Sequence, residues 1–276
     1  MHHDLHMHPH INYSESWWDM NLLIGLLATI IFYLLTIHLL ENKYRGSIII
    51  SNSQIIVFLL ACSIFYVSFG SPMATHSHHY LSVHMLQMSI ISFVIPPMLI
   101  FSLPYIFLKK FVPLLKYPIF GVVFFAILFS SYHVPTAFNW LMSSHQLHIA
   151  SHLILFGAAI MMWLPLTPVL VKKVLGLNER KYMHYVMWFV MPPCIFLLIM
   201  NVELYALLDT PNKLFSNLMD QRISGIIMIS LHQLTMVANA WVNKRKHIHQ
   251  TITTYNYNDL KLHKWNTSNN RNTDIV

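Results

Sequence analysis

Charge is what this chain has least of. Only 10% of its 276 residues are Asp, Glu, Lys or Arg, against 55% hydrophobic. That balance is far more apolar than a soluble domain of this length needs, and it points to lipid. Cysteine is scarcer still. Cys62 and Cys194 are the two present, both inside apolar runs, so a disulfide framework and a CxxC metal or redox site are excluded. No catalytic triad, phosphate loop or carboxylate pair argues for hydrolysis or group transfer, and the chain is not expected to be an enzyme. The N-terminus lacks the basic, apolar and small-residue order of a cleavable signal peptide, so the first apolar run is expected to remain as a helix.

What the sequence does have is long apolar runs. A helix rising about 1.5 Å per residue needs about 20 residues to cross a bilayer. Seven runs near that length lie at 20–40, 50–70, 81–103, 118–134, 147–170, 184–207 and 219–242. They predict an all-α, polytopic fold of seven transmembrane helices over 20–242. A tail at 1–19 precedes it, and a polar, basic tail at 243–276, expected to be disordered or to lie on anionic lipid, follows it. The formal net charge of +7 does not mark a nucleic-acid partner, because the basic residues fall in short clusters between apolar runs. All of the 17 except Lys213 and Arg222 lie in alternate connections and the C-terminal tail. Positively charged loops are retained in the cytoplasm, which predicts an extracytoplasmic N-terminus and a cytoplasmic C-terminus in a bacterial cytoplasmic membrane. Phe93-Val94-Ile95-Pro96-Pro97 and Phe189-Val190-Met191-Pro192-Pro193 echo each other and read as helix kinks.

Histidine is abundant and unevenly placed. Of 19, five lie in the N-terminal tail, four between Met73 and Met85, and four at 133, 145, 148 and 152, all on the predicted outer side. The others are His38, His184, His232, His247, His249 and His263. Histidine at membrane depth is costly and is usually kept for a partner, a proton or a metal. Imidazole and thioether donors without thiolates suit copper, Cu(I) above all, with zinc left open. His84 and Met88 project from one helix face on successive turns, as do His148 and His152, with His145 one turn earlier. Facing pairs supply three nitrogens and a sulfur, with His133 as a fifth member or gate. A lone interfacial histidine is more often a hydrogen-bonded surface residue than a ligand, but several pairs on one membrane face point to metal.

Two further groups stand out. In the tail, the amine of Met1 with His2 and His3 can wrap Cu(II), and the later His and Met can hold Cu(I); the alternative is a disordered tail. Asp220 at the start of the last run reads equally as a helix cap, paired with Arg222, or as an acidic partner orienting an imidazole. Trp163 and Tyr205 read as packing or interfacial anchors.

His84-Met85-Leu86-Gln87-Met88 followed by Pro96-Pro97, then His133-Val134-Pro135, His148 to His152 with Gly157 and Trp163-Leu164-Pro165, and Asp220-Gln221 with Gly225 together resemble the ordered motifs of the CtaG family of cytochrome c oxidase assembly factors. The resemblance implies a seven-helix membrane protein needed to produce active haem-copper oxidase by helping copper reach it, with an oxidase subunit as partner. It carries His84, His133, His152 and Asp220 over as motif positions. Two departures accompany it: Met88 stands where many relatives have a second histidine, and Ser151 where they have an acid.

The expected function is therefore a copper-binding metallochaperone for oxidase assembly. Two other classes stay open. One is a haem-binding or haem-handling membrane protein with axial histidines. The other is a copper permease using the proline-broken helices and His232.

Overall fold

The computed structural model describes residues 18–43, 51–108, 110–111, 113, 117–166, 179–205, 214 and 216–270, with backbone alone from 245 onward. Met1, His2 and His3 lie outside the described residues. Among those described, every regular element is helical. Apart from a turn at Tyr105–Leu108, the elements are α1 (Met20–Lys43), α2 (Asn52–Gly70), the short α3 (Pro72–His76), α4 (Leu81–Ser102), α5 (Pro118–Tyr132), α6 (Pro135–Met142), α7 (His145–Leu166), α8 (Glu179–Ile199) and α9 (Asn217–Asn270).

Six of them are long and apolar enough to cross a bilayer: α1, α2, α4, α7, α8 and α9 as far as Lys244. A seventh span exists if α5 and α6 count as one, bent by 79° between them. The bend follows from the sequence. Pro135 has no N–H and disfavours helical geometry in the residue before it, and Val134 is accordingly extended, at φ −72° and ψ 125°. This is why the fourth run stops as a helix at Tyr132 and turns a corner at His133.

Five helices close into a ring in which α4 packs on α7, α7 on α5, α5 on α8, α8 on α9, and α9 back on α4. One apolar cluster fills it, including Met85, Met88, Phe93, Phe125, Phe129 and Met162. Outside the ring, α2 packs on α4 and α1 on α2. The gradient is steep: 61% of the α4 span is buried inside the bundle, against 11% of α1. Two glycines permit close approach. A Cβ on Gly121 would lie 2.8 Å from the Met161 carbonyl oxygen of α7, and one on Gly225 would lie 2.8 Å from the Cys194 carbonyl oxygen of α8.

The two proline pairs behave differently. In α4, Ile90–Val94 widens into a π turn just before Pro96 and Pro97. The Ser92 carbonyl has no N–H to accept four residues on, because Pro96 occupies that place, and the Trp163 indole of α7 donates to it at 2.9 Å. Trp163 is thus a buried partner of the broken helix and not an interfacial anchor. In α8, Pro192 and Pro193 sit inside a continuing helix, whose preceding turn faces outward through Trp188, 78% exposed.

Two boundaries depart from the apolar runs. The sixth run, expected at 184–207, is helical over Glu179–Ile199. Residues 200–205 fold back onto α9, where Gln221 accepts from Leu204 N–H and its amide donates to the Val202 carbonyl. The last helix, expected to end at 242 before a tail that is disordered or lies on anionic lipid, continues to Asn270. No glycine or proline lies between 243 and 270 to stop it.

Candidate metal centre

Three imidazoles meet at one end of the ring. His84 comes from the first turn of α4, and His148 and His152 from successive turns of α7. Each offers one ring nitrogen to a group in which all three lie within 4.8 Å of one another. Ring centroids stand 5.4 Å apart for His84 and His148, 5.8 Å for His84 and His152, and 4.2 Å for His148 and His152. His84 and His152 are buried and His148 is half-buried.

The arrangement is built from the helix ends. The Asp220 carboxylate, itself buried on α9, accepts from the N–H groups of Leu81 and Ser82 at 2.7 and 3.0 Å. Those are free donors of the first turn of α4, at the positive end of its dipole. Asp220 is therefore a cap, but of the helix that carries His84 and not of its own. Arg222, the expected pairing partner, donates to Asn201 at 2.7 Å instead. On α7, Ser144 is extended and the helix opens at His145, so the i, i+4 spacing puts His148 and His152 on one face.

Aromatic rings wall the group. The Tyr132 hydroxyl and His84 Nε2 share a hydrogen bond of 2.8 Å, with the two rings nearly parallel. Phe138 of α6 meets His84 edge-on at 5.4 Å, and Phe69 of α2 meets His152 at 6.0 Å. Neither Tyr132 nor Phe138 was marked by sequence; Tyr132 adjoins the His133-Val134-Pro135 motif, which is the only signal it carries.

The hydrogen-bond pattern leaves three nitrogens over. His84 Nδ1, His148 Nε2 and His152 Nε2 are buried and accept or donate nothing among the described residues. Buried polar atoms are nearly always paired, and here one orphan comes from each imidazole. Nitrogens sharing an ion at about 2.0 to 2.1 Å lie at most about 4.1 Å apart, so closing the cluster by about 1 Å suffices for one metal. The donor set fits a soft or borderline cation.

Other expected members are placed differently. Met88 is fully buried one turn along α4 from His84, within the apolar cluster of the ring. His133 is buried at the α5–α6 corner, where its Nδ1 donates to the Phe129 carbonyl at 2.6 Å and its Nε2 is unpaired among the described residues. It is not one of the three converging imidazoles. Tyr205, expected to pack or anchor, is buried and donates to the His133 carbonyl at 2.6 Å, fixing that corner. Burial pushes its phenol up from the usual value. His145 is exposed at the mouth. In the turn before α4, His78 reaches to 6.1 Å from the His148 ring. Partial desolvation, then the neighbouring His79 and His145, hold His78 below the ordinary histidine value.

No curated protein and no solved structure matches the chain. A family described as cytochrome c oxidase caa3 assembly factor (Caa3_CtaG) matches residues 31–245. The match runs from within α1 to the end of the last span and takes in the whole ring with its three imidazoles, so the chain belongs to the Caa3_CtaG family of cytochrome c oxidase assembly factors.

Proposed function

We propose that this chain is a membrane metallochaperone that binds Cu(I) through His84 Nδ1, His148 Nε2 and His152 Nε2 and helps supply it to a haem-copper oxidase subunit during assembly. The observation that carries the reading is that His84, His148 and His152 each bring a ring nitrogen within 4.8 Å of the other two, and that each ring has one buried nitrogen without a partner among the described residues. All three donors are neutral, and a monovalent soft cation is the one they hold at least electrostatic cost in a low-dielectric bundle. Tyr132 supports it: with Nε2–H of His84 donating to the Tyr132 oxygen, the lone pair of His84 is left on Nδ1, the nitrogen without a partner among the described residues.

The distribution of basic residues supports a histidine end on the extracytoplasmic side of a bacterial cytoplasmic membrane, with the C-terminus inside. His148, half-buried, and the exposed His78 and His145 then form the approach from outside. The role is non-enzymatic. Copper enters and leaves by exchange of ligands, and His133 gates the corner beside the site.

The test is anaerobic Cu(I) loading of the purified protein in detergent, with affinity read by competition against a Cu(I) chelator. Oxidase activity is followed in a deletion strain carrying the same variants. His84→Ala and His152→Ala are expected to lose triad copper and oxidase activity together. Unchanged copper affinity in a His84/His148/His152 triple alanine variant would sink the proposal, and a Soret band in the purified protein would replace it with haem handling.

A further inference from the structure

The copper reading uses three histidines and leaves one buried histidine unexplained. His232 lies on α9, wholly inside the ring, and both of its ring nitrogens are without a partner among the described residues. Its ring packs at 4.8 Å against Phe93, within the π turn of α4. A neutral imidazole always has one donor and one acceptor to satisfy, so a fully buried ring with neither met is a vacancy in the bonding pattern. Native structures retain few of these without a ligand or ordered water.

Its neighbours narrow the choice. Met228 precedes His232 by four residues and Met236 follows by four, so the three side chains form one stripe on successive turns of α9. Both methionines are buried with it, although much of α9 faces outward, with Leu234 at 65% and Val237 at 66% exposed. The stripe faces the ring. The register of α4 and α9 adds a further thioether. Leu81 meets Asp220 at the start of both helices, and Phe93 meets His232 the same number of residues further along each. The helices therefore run parallel and in step, which brings Met88 to within one residue of the level of Met228, a little more than one turn above His232.

We infer that His232, with the Met228 and Met236 thioethers of its own helix and Met88 of α4 near the level of Met228, is a second binding site for a soft monovalent cation, in line beneath the three-histidine centre. Thioether and neutral imidazole are soft, uncharged donors suited to Cu(I), and they favour a single positive charge over a divalent ion in so apolar a setting. Copper captured at the bundle mouth thus has a deeper station, with α4 the helix common to both. The choice of ion rests on the copper reading of the triad; the location of the site does not.

The experiment is Cu(I) loading of the full-length protein in detergent under anaerobic conditions, with copper per chain and the sulfur contribution to the X-ray absorption spectrum as readouts. The variants are Met228→Leu/Met236→Leu and His232→Leu, each in the wild-type and in the His84→Ala/His148→Ala/His152→Ala background. Met→Leu conserves volume and apolarity, so the double variant decides where His232→Leu fails to fold. Each folded variant is expected to bind one copper fewer than its parent in both backgrounds, and the double variant to lose copper–sulfur scattering. If the triad substitutions cost no copper while the stripe substitutions cost one, the triad reading fails and this one stands. If any folded stripe variant keeps its parent's copper complement, with an internal water or a proton alone at His232, the second site is overturned.

Discussion

His84, His148 and His152 face one another across α4 and α7, whereas His232, deeper on α9, faces a phenylalanine with methionines on either side along its helix. Both groups contain buried nitrogens with nothing to bond among the described residues. They differ in company. At the bundle mouth three rings each bring a nitrogen within 4.8 Å of the other two, aromatic walls surround them, and Tyr132 bonds the Nε2 of His84. At depth a single imidazole depends on thioethers of its own helix. His133 teaches the converse: buried, with one nitrogen unpaired among the described residues, it is tied by the other to the Phe129 carbonyl and stands apart from the cluster. An orphan nitrogen carries chemistry through what converges on it, and burial alone does not select it.

The sharpest way to break the comparison is to remove one converging imidazole. His84→Ala is expected to weaken triad copper by more than about 100-fold, beyond the range that loss of an outer partner produces, while His133→Ala stays within that range. Competition with a Cu(I) chelator measures both. Equal losses in the two variants would mean that convergence does not set affinity.

Tyr132→Phe tests the wall. It leaves ring packing with Phe138 in place and deletes the hydrogen bond to His84 Nε2. Losing an orienting partner of this kind costs about 10- to 100-fold in metal affinity, with copper per chain unchanged under saturating metal. An unchanged affinity would show that His84 holds its orientation without the hydroxyl.

Asp220 sharpens the contrast from the scaffold side, since it fixes the start of the helix that serves both groups. Asp220→Ala bares two N–H groups of α4, at about 1 to 3 kcal/mol for each donor left buried. Asp220→Asn, which keeps one acceptor oxygen, should recover part of that loss. Thermal unfolding in detergent reads the stability, and copper affinity of the folded fraction is expected to fall less than in Tyr132→Phe.

How much of this could be read in the sequence follows from where each interaction is encoded. Apolar runs are local, and they marked the six helices long and apolar enough to cross a bilayer, with a seventh if the bent pair α5 and α6 counts as one span. The i, i+4 rule placed His148 and His152 on one face of α7 for the same reason. The rule put Met88 beside His84 as well, but spacing on one helix does not say how far a side chain is from a neighbouring helix. Tyr132 joins His84 across 48 residues and Asp220 joins Leu81 across 139, and no periodicity carries such pairings. Trp163 became legible only with the π turn, once Pro96 had left the Ser92 carbonyl without its donor. Of the boundaries that shifted, those at Tyr132 and Ile199 are places where a corner or a returning segment competes with a run still apolar enough to continue.

The smallest expected effect concerns His145, which spacing groups with His148 and His152 as one face of α7. Helix geometry places it a turn earlier on that face, yet it is exposed while His152 is buried. The difference comes from its position as the first residue of α7, where solvent replaces the packing that α2 and α5 give the deeper rings. A solvated imidazole already has its hydrogen bonds met by water, so it has no unmet bond of the kind the three orphan nitrogens have. Exposed substitutions of this kind change stability by no more than about 0.5 kcal/mol, and His145→Ala is expected to move triad affinity by no more than about twofold, the equilibrium equivalent of that figure. A slower rate of copper uptake at unchanged affinity would assign His145 to the approach alone. A fall in affinity comparable to that of His84→Ala would make it a fourth ligand, and the division between converging and solvated imidazoles would have to be redrawn one turn further out.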